Sequence, residues 1–133
     1  MNHFLTPFIL LVSLLCFGCP SQSTDDITAS NWQLKKWSAG QLPDDLTITA
    51  IFADGRLSGR AVCNQYFADA KVENNTVQIQ TVGATKMRCP EHNDLERNYF
   101  EYLRQASSFK IDKEQLIVNC GEVTLFFVPQ KED

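Results

Sequence analysis

Short segments in which apolar and polar residues alternate dominate this chain of 133 residues, and they constrain its fold more than any other feature. In Leu46–Phe52 every second residue is apolar, as in a half-buried strand. The chain then reverses at Asp54-Gly55 and again at Asn74-Asn75, where Gly and Asn tolerate the positive φ of a tight turn. We therefore predict about eight short strands, near residues 31–37, 46–52, 56–62, 66–72, 77–79, 109–112, 115–118 and 122–128.

A single segment, residues 90–106, has helical periodicity. Its apolar residues recur at steps of three and four: Leu95, Tyr99, Phe100, Leu103 and Ala106. Long crossover helices, which parallel strands would require, are missing from the pattern. The sequence therefore predicts an α+β fold, an antiparallel β meander curled into a partial barrel with one covering helix.

The first eighteen residues predict export. Residues 8–17 are apolar apart from one Ser, which matches the core of a signal peptide and is too short to span a bilayer. Gly18-Cys19 follows, and then a polar stretch. This order resembles a bacterial lipobox, in which the Cys becomes the lipidated first residue of the mature protein. We expect a signal peptide at 1–18, a tether at 19–29 and one domain at 30–129; the alternative is an ordinary cleaved signal, with Cys19 an incidental thiol.

The charge of the chain limits the kinds of partner that it can bind. The formal net charge is −4, and no basic cluster of the kind that binds nucleic acid stands out. An acidic surface also gives no attraction to anionic lipids. We therefore predict no nucleic-acid partner, and a membrane contact made only through the lipid on Cys19.

Five cysteines are present. Cys16 would leave with the signal peptide and Cys19 would carry the lipid, so Cys63, Cys89 and Cys120 remain. Export to an oxidising compartment favours a disulfide. Three single pairings are then open from the residues alone, with one thiol left over, and three reduced thiols are the alternative.

Two motifs resemble the META domain, the HslJ-like heat-shock family. One is Ser58-Gly59 followed by Cys63-Asn64 and an aromatic residue, and the other is Thr85-Lys86-Met87-Arg88-Cys89, with Glu96 after it. The resemblance covers about residues 30–128. It implies a Cys63–Cys89 disulfide, and a role in envelope stress or antibiotic tolerance. It implies no enzymatic activity that could be assigned to particular residues.

The segment Cys89–His92 raises two chemical alternatives. One is a zinc site built from Cys63, Cys89 and His92, but the sequence offers no second Cys-x-x-Cys or His pair to complete a cage. The other is a Cys–His nucleophile, which needs a free thiolate and an orienting third group. Neither is favoured, so we predict no catalytic residues, no metal and no cofactor.

Other polar residues have simpler interpretations. Asp44-Asp45 lies in a loop among solvating residues. Asn64 is expected to bond backbone groups at a strand end rather than a ligand.

Two functions remain. The first is a non-enzymatic lipoprotein of the cell envelope, facing the periplasm, that binds an unknown envelope protein or small ligand. The second is a partial barrel that holds a small molecule or lipid in an interior lined by Phe52, Phe100 and Phe127.

Overall fold

A computed structural model describes residue 18 and residues 24–131. Eight antiparallel strands follow one another around a closed barrel. Their bounds are β1 Trp32–Trp37, β2 Thr49–Ala53, β3 Arg56–Arg60, β4 Gln65–Glu73, β5 Thr76–Ala84, β6 Ala106–Asp112, β7 Gln115–Cys120 and β8 Val123–Pro129. Two helices accompany them, α1 Thr24–Thr28 and α2 Asn93–Arg104. The antiparallel, β-rich class predicted from the alternation is confirmed.

The barrel is closed, and the prediction of a partial barrel is wrong. β1 pairs with β8 from Trp32 opposite Pro129 to Trp37 opposite Leu125, with one irregularity between Leu34 and Lys36. Both strands carry large buried side chains, among them Leu34 and Leu125. Pairing them covers this apolar surface and removes two exposed sheet edges at once.

The strand directions give the barrel two different ends. The turns at Asp54-Gly55, Asn74-Asn75 and Lys113-Glu114 lie at one end, together with the start of β1 and the end of β8. We call this the hairpin end. The opposite end, the helix end, holds the β1–β2 and β3–β4 connections and the whole of α2. The chain therefore enters and leaves the barrel at the end away from α2.

Helix α2 is the predicted covering helix, although it is shorter than residues 90–106. It begins at Asn93 because His92 adopts a left-handed conformation, with φ of 71°. Two of its own side chains, Tyr99 and Leu103, are buried. The ring of Tyr102 meets Trp37 edge-on at a centroid distance of 5.4 Å, which fixes the helix against β1.

Helix α1 is a second, short helix within the stretch expected to be tether. Its Ile27 is 0% exposed and belongs to the hydrophobic core. The Ile27 carbonyl accepts a hydrogen bond from the Trp32 indole at 2.8 Å. The packed domain therefore extends back at least to Ile27. Within the described residues, neither helix has the length and apolar character needed to cross a membrane.

Candidate functional site

Asn64 organises the helix end. It closes the β3–β4 connection, is 7% exposed, and bonds to two segments distant in sequence. Its Oδ1 accepts from the Met87 amide at 2.7 Å and from the Thr85 hydroxyl at 3.0 Å. Its Nδ2 donates to Glu96 Oε1 at 2.5 Å. The expected bonding of Asn64 to backbone is thus observed, and the carboxylate of Glu96 is an additional partner.

Glu96 is the second part of this arrangement. From the first turn of α2 its Oε2 accepts from the amides of Cys63 at 2.7 Å and Asn64 at 3.0 Å. Desolvation would raise the pKa of Glu96, but the hydrogen bonds from Asn64 and Cys63 outweigh it and lower the pKa below its ordinary value. The ionised carboxylate therefore pins α2 to the β3–β4 connection. We call Asn64, Glu96 and the Met87 backbone the clamp.

A disulfide joins the β3–β4 connection to the segment between β5 and α2. Cys63 and Cys89 are bonded, with their Cα atoms 6.1 Å apart, so the pairing implied by the family resemblance is observed. Each sulfur is bonded to the other, and neither is available as a nucleophile or as a zinc ligand. The zinc site considered as an alternative, with Cys63, Cys89 and His92 as ligands, therefore loses both of its thiolates.

Beside the disulfide lies an open groove of about 430 Å³. Its apolar lining comes from Leu46, Val62, Met87 and Pro90. Met87 is 64% exposed, which is unusual for so large an apolar side chain. The groove also contains Arg60, Glu91 and His92 and both bridged cysteines. Sequence reasoning considered His92 as a zinc ligand or a base and favoured neither, and it missed the groove.

Two tyrosines, Tyr66 of β4 and Tyr99 of α2, meet where the helix packs against the barrel. Tyr66 donates to the Thr49 carbonyl at 2.7 Å, and its oxygen is 2.8 Å from the Tyr99 hydroxyl. Burial raises the pKa of both phenols. Burial also raises the pKa of the Cys120 thiol to about 12. These groups stay protonated at neutral pH and serve as core side chains with satisfied polar atoms.

The remaining predicted residues lie elsewhere. Phe52 and Phe127 are buried in the packed core, and Phe100 is a half-buried residue of α2 whose ring contacts Tyr66. Phe52 and Phe127, two of the residues named for the alternative of a ligand-holding interior, thus belong to the hydrophobic core. Asp44 and Asp45 are exposed. Cys19 lies outside the described residues.

The charge of Glu96 gives the helix end a testable pH dependence. Because its folded pKa is lowered, its contribution to stability is complete above the ordinary pKa and is lost as pH falls through the folded value. We expect Glu96→Gln to lower the free energy of unfolding by about 2 kcal/mol at pH 7, since hydrogen bonds to a charged acceptor are lost. The difference should shrink in urea titrations repeated between pH 5 and pH 3. A constant difference across that range would contradict the assignment.

A disulfide-bridged antiparallel barrel with one covering helix defines a class of small β-barrel domains. The sequence model of the META domain family matches residues 25–132, and the chain belongs to this family. A comparison with curated proteins found no match.

Solved structures share the fold. An NMR structure of a protein from Burkholderia xenovorans is 18% identical, with a TM-score of 0.70, and the match covers 96% of this chain and 100% of that one. A second NMR structure is 20% identical, with a TM-score of 0.64, over 79% of this chain and 92% of that one. A crystal structure of a DUF4847 family protein from Bacteroides vulgatus is 18% identical, with a TM-score of 0.61, over 84% of this chain and 100% of that one. At these identities the likeness concerns the fold alone.

Proposed function

We propose that this chain is a lipid-anchored, non-enzymatic binding protein of the bacterial cell envelope, and that it contacts a partner through the groove at the helix end. The observation that carries the proposal is the position of Met87. Its side chain is largely exposed, while its backbone is held by Asn64. Met87 also continues the apolar lining formed by Leu46, Val62 and Pro90, and an apolar groove on a fixed backbone suits a contact surface.

The N-terminal sequence supports the anchor. Residues 8–17 and Gly18-Cys19 have the order of a lipoprotein signal, and Cys19 precedes α1 by only five residues. Since α1 leads into β1 at the hairpin end, a lipid on Cys19 would hold that end next to the membrane. The groove would then face away from the membrane, toward the periplasm.

The chemistry of the helix end supports a binding role rather than catalysis. The two cysteines in the groove are bonded to each other, and both oxygens of Glu96 already accept hydrogen bonds. A general base or nucleophile must direct a lone pair at a substrate, whereas the Glu96 oxygens are directed at N–H groups of Cys63 and Asn64. The family resemblance supports a role for the contact in envelope stress or antibiotic tolerance.

Position-specific cross-linking in living cells tests the contact surface. We expect a photoreactive residue in place of Pro90, in the groove, to give discrete adducts with an envelope component. The same residue in place of Lys113, at the tip of the β6–β7 turn, should give few. Arg60→Gln in the Pro90 background should reduce the adduct. Equal labelling at both positions, or none at Pro90, would contradict the proposal.

A further inference from the structure

We propose that the groove recognises an acidic peptide segment of an envelope protein, one that places an apolar side chain against Met87 and carboxylates against Arg60 and against Lys86 and Arg88, which flank Met87. This inference rests on the proposed function and adds the chemical class of the partner.

The walls of the groove supply the apolar contacts for the peptide. Leu46 and Val62 are half-buried, and Pro90 and Met87 are exposed. Removing apolar surface from water contributes roughly 25 cal/mol per Å². A groove of about 430 Å³ is large enough for a leucine-sized side chain.

Three basic residues supply the charged contacts for the peptide. Arg60 lines the groove, and Lys86 and Arg88 flank Met87 in the chain. All three are exposed, and none has an acidic side chain within ion-pair distance among residues 24–131. Glu91 is the acidic residue in the lining. Within the lining Glu91 offsets the charge of Arg60, so the positive excess comes from Lys86 and Arg88 on either side of Met87. In a chain of net charge −4, this excess favours an anionic partner.

The orientation of the barrel favours a peptide over a lipid surface. A lipid on Cys19 holds the hairpin end at the membrane, whereas Arg60 ends β3 at the helix end. Headgroups of the anchoring membrane would lie at the hairpin end, away from the groove. An envelope protein extending into the periplasm can reach the groove freely.

The clamp and the disulfide make the groove rigid before binding. The backbone at Met87 is held by Asn64, and the wall at Cys89 is bonded to Cys63. A preformed surface loses less conformational entropy when a partner binds. The contact is nevertheless small, so we expect a transient interaction with a Kd of about 10–100 μM.

The test uses the full mature protein in detergent and a fluorescent peptide of alternating Leu and Glu, followed by anisotropy. We expect Arg60→Gln and Met87→Gln each to weaken binding about tenfold, which corresponds to about 1.4 kcal/mol. Arg56→Gln is the matched control, because Arg56 is an exposed arginine at the opposite end of the same strand. It should change Kd by less than about twofold. Binding should also weaken as salt is raised.

Each other result overturns the acidic-peptide inference. Equal affinity for a peptide with Lys in place of Glu, still lost in Met87→Gln, would leave a binding groove and remove only the acidic class. Displacement of the peptide by a short-chain anionic phospholipid would assign the groove to lipid headgroups. Absence of any peptide binding also rejects the inference. Together with failed cross-linking at Pro90, it would reject the proposed function as well.

Discussion

Replacing Asn64 by Asp is expected to destabilise the domain by about 4 kcal/mol at pH 7, within the range known for an uncompensated buried charge. The new carboxylate oxygen would occupy the position of Nδ2, 2.5 Å from Glu96 Oε1. Two carboxylates at this distance cannot both ionise, so one must bind a proton. The folded pKa of the pair therefore rises. The loss of stability is then largest above that raised pKa, and it diminishes as pH falls through it.

The measurement is urea unfolding of Asn64→Asp and of Asn64→Ala at pH 7 and pH 4. Asn64→Ala removes the donors and acceptors without adding charge, so it should cost about 3 kcal/mol with little pH dependence of its own beyond that of Glu96. Asn31→Asp makes the same chemical change on an exposed residue and should be nearly neutral. If Asn64→Asp is no worse at pH 7 than at pH 4, the clamp has been assigned incorrectly.

Loss of the Cys63–Cys89 bridge is the second large effect. The bridge closes a loop with a sequence separation of 26 residues. Constraining such a loop in the unfolded chain stabilises a protein by roughly 3–4 kcal/mol in the chain-entropy model. We expect Cys63→Ala and Cys89→Ala each to cost this amount. The double variant should cost little more, because both substitutions remove the same bond.

Cys120→Ala provides the matched comparison. Cys120 is 0% exposed and ends β7, directly before the turn that begins at Gly121. It makes no disulfide, so its truncation should cost only about 1 kcal/mol. If urea titrations show that the double variant loses the sum of the stabilities lost by Cys63→Ala and Cys89→Ala, loss of the disulfide does not explain the two effects.

Local patterns predicted the strands and several turns well. Asp54 and Gly55 both have positive φ, as an Asp-Gly hairpin turn requires. Closure of the barrel was not predictable in the same way. Alternation identifies which face of β1 or β8 is buried, but it contains no information about which strand lies alongside. Strands separated by about ninety residues pair only because the intervening strands complete the circle.

The start of α2 shows how tertiary context overrides a local signal. Pro90 is favoured in the first turn of a helix, which placed the predicted start there. In the structure Cys89 is bonded to Cys63, and the chain needs three more residues before Asn93 begins the helix. The left-handed His92 redirects the backbone at that point. No periodicity in the sequence indicates such a reversal.

The clamp was only half visible in the sequence. The position of Asn64 after Cys63 suggested backbone bonding, and Glu96 fitted the family pattern without an assigned role. Their contact joins residues 32 apart, and only the fold brings them to hydrogen-bonding distance. The groove was hidden for the same reason, because Arg60 ends β3 whereas Met87 lies in the connection between β5 and α2.

The central claim, that this domain works as a lipid-anchored module with its groove directed away from the membrane, depends first on Cys19. Mass spectrometry of the protein extracted from membranes tests it directly. We predict a mature chain that begins at Cys19, carries acyl groups there and lacks residues 1–18, and we expect Cys19→Ser to abolish this lipid-modified form. A membrane-bound protein with an intact N-terminus, or a mature chain with an unmodified Cys19, would contradict the account.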